Sequence, residues 1–272
     1  MKVTVENKKG LNKDVKVFID KKTMSSAHFI RFIEYNLSVP DNGWKVMVKP
    51  TSKAWIDPFV SYLKQHYDLS DYIFSGASAG AWNSLFMTYN GQHTDEMYKN
   101  LFTCVSNSSN IYQMEVNMKN FMLNEFHHDD FELDRLNVGV AVLKRFNFKL
   151  YVYNDFDSLE DALDSCIASS HIPFISGGLY AKYRNRWSFD GGFYSYPYVK
   201  NIIPSFILHP SMWNSTHTIA DFPISTLINF KRKPLNVSEL FTLGYNDTHN
   251  NKAIFLSTFF NFIYPKSFLI FL

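Results

Sequence analysis

Two cysteines, Cys104 and Cys166, are all that the 272 residues contain, so no disulfide framework holds this chain together. Charge of either sign is equally sparse in excess. Lys and Arg number 27 against 25 Asp and Glu, a formal net charge of +2, which removes the electrostatic case for a nucleic-acid partner. The opening residues Met1 to Lys9 hold no apolar run long enough for a signal peptide. With so little cysteine, this points to a reducing, intracellular, cytoplasmic compartment. The Asn-x-Ser/Thr sequons at Asn36, Asn107, Asn214, Asn236 and Asn246 then read as by-products of composition. Internal repeats and low-complexity linkers are missing too.

Aromatic residues are what the chain has in excess. It carries 26 Phe, 16 Tyr and 5 Trp, 17% in all; such rings suit apolar–water boundaries, and they equally suit a bulky core. The segment Trp44 to Val48, bounded by Asp41-Asn42-Gly43 and Pro50, reads as a strand. Ile56 to Gln65 has helical spacing at Phe59, Val60 and Leu63, and Asp71 to Phe74 is a short apolar strand. Further along, Asn137 to Leu143 and Lys149 to Tyr153 read as strands. Ser158-Leu159-Glu160-Asp161 predicts a capping box opening a helix with the stripe Leu159, Ala162, Leu163, Cys166 and Ile167, which must stop before Pro173. Strands alternating with helices predict a layered α/β domain with a mostly parallel sheet.

Between the strand ending at Phe74 and a helical pattern at Ala81, Trp82, Leu85, Phe86 and Tyr89 lies Gly76-Ala77-Ser78-Ala79-Gly80. A Gly-x-Ser-x-Gly pentapeptide arises by chance in about one shuffled chain of this composition in twenty-five, so its setting carries the argument. That setting is the nucleophile elbow: a sharp strand-to-helix turn, flanked by small residues, that lifts a serine above the N-terminus of the next helix. The N–H groups there stabilise developing negative charge.

A serine hydroxyl needs a base to take its proton. One candidate set is a late histidine in a Ser…Asp…His triad, and His209, His217 and His249 lie late enough. The other is Asp190, in Phe189-Asp190-Gly191-Gly192, which taken alone also reads as a plain Asp-Gly turn. His127-His128-Asp129-Asp130 reads as a solvated loop rather than a metal site, because adjacent identical residues point apart.

Ala168-Ser169-Ser170-His171-Ile172-Pro173-Phe174 followed by Phe189-Asp190-Gly191-Gly192 resembles the second signature of patatin-like phospholipases. The elbow, the Trp44 strand before it and the 112-residue gap from Ser78 to Asp190 are similar to the triglyceride-lipase and adiponutrin branch of that family. The resemblance spans roughly residues 42 to 205. It implies a three-layer patatin-like α/β fold with a mostly parallel central sheet, an N-terminal extension over 1–41 and a C-terminal region over 206–272. It also implies that Ser78 is the nucleophile and Asp190 the base, within Gly76, Ala77, Ala79, Gly80 and Gly191, Gly192. Such a dyad hydrolyses lipid acyl esters with no cofactor or metal. The family forms its oxyanion hole from a glycine-rich loop after the first strand; here that position reads Lys49-Pro50-Thr51-Ser52-Lys53-Ala54-Trp55, without glycine. Pro50 has no N–H to give, which leaves Thr51, Ser52 and Ala79 as the expected donors. A catalytically weak or inactive lipid-binding relative is the alternative this loop raises, and an α/β-hydrolase esterase with a Ser-Asp-His triad is the other.

The C-terminal stretch from Ile254 to Leu272 is densely apolar but broken by Pro265-Lys266, short of the about 20 unbroken residues a bilayer span needs. It reads either as an element docked on the core or as a peripheral contact with a membrane or lipid-droplet surface.

Overall fold

The computed structural model describes residues 2–6, 13–16, 44–48, 60–65, 69, 72–91, 97–98, 100–101, 103, 108–145, 147–193, 206–208 and 237–250. The loop 49–55, the amphipathic stretch 27–35 and the apolar stretch 254–272 lie outside them, as do His209 and His217.

The described elements are, in chain order, β1 (Lys2–Glu6), β2 (Lys13–Lys16), β3 (Trp44–Val48), β4 (Tyr72–Gly76), α1 (Ala79–Met87) and α2 (Ile111–Glu125), then β5 (Leu136–Lys144), β6 (Asn147–Tyr153) and α3 (Leu159–Ser169). They close with β7 (Ala181–Tyr183), β8 (Arg186–Phe189), β9 (Phe206–Leu208) and α4 (Val237–Asn250). Among the described residues, nine strands make one sheet in the order β2-β1-β6-β5-β4-β3-β9, with β8 also against β5 and β7 against β8. The result is an α/β architecture, an open mixed sheet with helices packed against it. Its parallel part is the run β9-β3-β4-β5 together with the β1–β6 pair. The antiparallel pairs are β1–β2, β5–β6 and β7–β8, each between strands consecutive in the chain, and β5–β8, which joins strands distant in sequence. The expected mostly parallel sheet is thus narrower than the sequence pattern suggests: β5 and β6 are too close in sequence for a helical crossover and pair as a hairpin. The N-terminal segment contributes β1 to this sheet through Thr4↔Tyr151, and the C-terminal region contributes β9 through Val46↔Phe206.

Burial explains the strands. In β5 every residue from Leu136 to Val142 is buried, the near-continuous apolar run of a strand covered on both faces. Helix α3 instead buries Leu159, Ala162, Leu163 and Cys166, the i, i+3, i+4, i+7 stripe of an amphipathic helix. Ser158 caps it by accepting Asp161 N–H at 3.1 Å. The reciprocal half of the expected capping box does not form. The Asp161 carboxylate turns instead to the Arg184 guanidinium at 2.7 Å and the Tyr183 hydroxyl at 3.0 Å, because a charge-assisted bond outweighs a neutral cap. The helix ends at Ser169, ahead of Pro173.

Helix α1 has no polar face at all: all nine of its residues are buried, packed on β3, β4 and β5 and against α3. Trp82, Phe86, Leu85 and Met87 from this helix join Phe74, Tyr98 and Tyr153 as the largest fully buried side chains. Among the described residues, aromatic rings therefore supply much of the core. No helix among the described residues is long and apolar enough to cross a membrane.

Candidate active site

Strand β4 ends at Gly76 and α1 begins at Ala79, so two residues make the whole turn. So tight a reversal brings helix and strand backbones together: a Cβ at Gly76 would overlap the Gly80 carbonyl and reach within 2.8 Å of Ala81 N. Glycine is the residue that permits this approach. Ser78 absorbs the remaining curvature with φ 55° and ψ −131°, a left-handed setting that costs a non-glycine residue about 1–3 kcal/mol.

Ser78 stands at the N-cap of α1, where a serine hydroxyl ordinarily accepts a backbone N–H from the first turn. It makes no such bond. Its Oγ donates to Asp190 Oδ2 at 2.7 Å, across 112 residues of sequence. The structure therefore brings together the two residues that the motifs single out.

Asp190 is buried, with 6% of its surface exposed, and its carboxylate is held from a second direction by Gly192 N–H, which donates to Oδ1 at 2.6 Å. Its own N–H donates to the His171 carbonyl at 2.8 Å. Gly191, next in line, sits where a Cβ would overlap the Gly139 carbonyl and lie 2.9 Å from Ala77 Cβ. Elbow, β5 and the Asp-Gly-Gly turn are thus in van der Waals contact, which fixes the separation between hydroxyl and carboxylate.

A third anchor comes from the end of α3. Ser78 N–H is bound by Ser169, through its carbonyl at 3.2 Å and its hydroxyl at 2.9 Å. The Ser169 hydroxyl in turn donates to the Gly139 carbonyl at 2.6 Å. Next to it, Ser170 Oγ donates to the buried Glu115 carboxylate at 2.5 Å and receives Trp82 Nε1 at 3.2 Å. Sequence reasoning gave Ser169, Gly139 and Glu115 no part. Ser169 lies inside the quoted second motif, but its partners are 91 and 30 residues away and leave no local signal.

At the start of α1, Gly80 N–H is taken by the Ala77 carbonyl and Ala81 N–H by the Ser78 carbonyl. Ala79 N–H makes no hydrogen bond among the described residues, and no acidic side chain occupies the first turn. The buried helix N-terminus directs its positive potential to where the hydroxyl emerges and the Asp190 carboxylate approaches. Ala79 is therefore one available oxyanion donor; Thr51 and Ser52 lie outside the described residues. The arrangement can pass a proton from Ser78 to Asp190 and stabilise an anion beside Ala79.

Histidine enters differently from the triad expectation. His249 lies exposed on α4 with its ring edge-on to Tyr62, centroids 6.2 Å apart. His171 supports Asp190 through its backbone, while its Nε2 meets the Gly178 carbonyl at 3.1 Å. Burial holds the His171 imidazole below its ordinary pKa, against the opposing pull of its hydrogen bonds to the Gly178 and Leu179 backbone. His127 to Asp130 fold into a single turn in which the Asp130 carboxylate accepts His127 N–H at 2.7 Å.

No family model matches the chain. A stretch of 45 residues, 16% of the chain, is 58% identical to trigger factor of Pelagibacter ubique (strain HTCC1062) and covers 9% of that protein.

Proposed function

We propose that this chain is a serine acyl hydrolase with a patatin-like three-layer fold, acting on glycerolipid or phospholipid esters through a Ser78–Asp190 dyad. The observation that supports it most is the 2.7 Å hydrogen bond from a strained elbow serine to a buried carboxylate. Asp190 takes the Ser78 proton as Oγ attacks the ester carbonyl; the tetrahedral oxyanion faces Ala79 N–H, and the alcohol leaves with the proton. Water activated by the same carboxylate then releases the fatty acid. The substrate is a lipid ester presented at a membrane or lipid-droplet surface, and the chain works as a peripheral cytoplasmic protein. The test is a fluorophosphonate incubated with the pure protein and the adduct located by mass spectrometry. An adduct on Ser78 that disappears in Asp190→Asn supports the dyad; folded protein with no adduct overturns it.

The glycine-free sequence Lys49 to Trp55 favours one rival, a lipid-binding relative with little turnover. Loss of one oxyanion donor costs about a hundred- to a thousandfold in rate. If that is the missing contribution, glycine at positions 50 and 52 raises kcat by about one to three powers of ten and leaves KM nearly unchanged. Steady-state kinetics on the folded double variant separate the two readings.

A further inference from the structure

The described surface carries Tyr112, Phe148, Phe174, Leu179, Tyr180 and Trp187 as its exposed large hydrophobic side chains, and all six are linked. Ala141 on β5 pairs with Phe189 on one side and Leu150 on the other. Two residues further, Leu143 pairs with Phe148; on the other edge of β5 the ladder ends at Val142↔Ser188, next to Trp187, itself opposite Lys182. Lys182–Trp187 and Leu143–Phe148 are thus two cross-strand pairs flanking the end of that ladder. Tyr180 stacks on Trp187 with centroids 5.0 Å apart, and the Phe148 ring meets Phe189 at 5.0 Å. The loop leading into Tyr180 adds Leu179 and Phe174, closed by Phe174 N–H donating to the Gly178 carbonyl at 3.1 Å. Tyr112 flanks that loop, its ring 3.4 Å from where a Gly177 Cβ would lie.

Phe174 is the least expected of these. It holds φ 64° with 79% of its surface exposed, so a bulky ring is kept out of the core at the cost of backbone strain. Strain that persists at an exposed apolar residue points to function. Charge is distributed to match. Residues 136–154 and 172–189, which hold these rings apart from Tyr112, contain Lys144, Arg145, Lys149, Lys182, Arg184 and Arg186 and no Asp or Glu. That is six cations in a chain whose net charge is +2. Arg184 is spent on Asp161 and Arg186 lies over Tyr151, whereas Arg145, in the turn after β5, and Lys182, opposite Trp187, are exposed.

We propose that this patch is the surface by which the protein docks on an anionic phospholipid bilayer. Tyr180 and Trp187 would lie at headgroup depth, Phe174 and Phe148 just below, and Arg145 and Lys182 against the lipid phosphates. The proposal deepens the hydrolase reading and rests on it for its purpose, since β8 runs from Trp187 through Phe189 directly into Asp190.

The experiment is co-sedimentation of the full chain with phosphatidylcholine vesicles, with and without phosphatidylserine, alongside hydrolysis of a dissolved short-chain ester. Wild type binds the phosphatidylserine vesicles, more weakly at high salt. Tyr180→Ser/Trp187→Ser lowers the partition coefficient about tenfold. Phe174→Gly, which removes the ring and relieves its backbone, also lowers it and keeps the fold even if the double variant does not. Lys182→Glu lowers it about fivefold or more, and only on anionic vesicles. Soluble-ester turnover stays within about twofold in all of them, because a dissolved substrate needs no interface. Folded Phe174→Gly and Lys182→Glu that bind like wild type overturn the proposal. So does a wild type that ignores vesicles but self-associates through the same residues, which would make a second copy the occupant. Patch-dependent vesicle binding with no ester turnover in any protein leaves the docking surface standing and removes the hydrolase reading.

Discussion

The Ser169 hydroxyl accepts the backbone N–H of Ser78 at 2.9 Å while donating to the Gly139 carbonyl at 2.6 Å. One side chain therefore ties the end of α3, the middle of β5 and the strained elbow into a single hydrogen-bonded unit. The Ser78 N–H is fully engaged by it, which leaves Ala79 as the elbow's free donor.

Ser169→Ala removes that tie. Two buried polar partners lose it, at about 1–3 kcal/mol, so thermal unfolding followed by circular dichroism shifts down. If Ser169 positions the nucleophile, kcat on a dissolved ester falls about tenfold and KM stays within about twofold. A lower melting temperature with kcat unchanged would reduce Ser169 to a purely structural residue.

Asp190→Asn and Ser78→Ala each lower kcat by about a thousandfold or more, and the double variant is no worse than either alone, because the pair acts as a unit. His249→Ala leaves turnover near wild type, its ring being against Tyr62. Turnover lost in His249→Ala and kept in Asp190→Asn would replace the dyad with a histidine-dependent mechanism.

Gly191→Ala drives a methyl into the Gly139 carbonyl and toward Ala77 Cβ at 2.9 Å. Neither neighbour can rotate away, and overpacking against backbone costs about 3 kcal/mol. Urea denaturation of this variant reads a midpoint well below wild type. Gly178→Ala, where a Cβ would meet nothing within 4 Å, serves as the control with a smaller loss.

His171 gives a pH dependence. Burial lowers its folded-state pKa below the ordinary 6.5, so between those two values the unfolded chain binds more protons than the native one. Stability from keeping this ring neutral is complete above about pH 6.5, declines as pH falls below it, and levels off beneath the folded pKa. His171→Gln, which retains a hydrogen-bonding group toward Gly178, flattens that part of the profile. Chemical denaturation of both proteins between pH 7.5 and about 5 measures the difference; parallel curves would show that His171 contributes nothing to it.

What the sequence shows of this structure is what depends on near neighbours. The strand at Trp44–Val48, the elbow pentapeptide and the α3 stripe with its Ser158 cap follow from spacing and turn chemistry within a dozen residues. The Ser78–Asp190 pair was reachable only because each residue sits in a local motif of its own. Contacts without that local mark stayed hidden. Ser169 sits 91 residues from Ser78, and the β5–β6 hairpin turns through Arg145 at φ 50° with no glycine to announce it. Helix α2 gives no clear signal either, because it buries Met114, Glu115, Met118 and Met122, a stripe interrupted by a carboxylate whose Oε1 accepts from Ser170, the C-cap of α3.

The left-handed backbone of Ser78 also makes position 78 an evolutionary gauge. Glycine would relieve the strain there at no steric cost, so substitution to glycine stabilises the fold at the moment it removes the hydroxyl. A lineage released from selection at this site drifts toward glycine; one that keeps serine has been held there against the pull of its own stability.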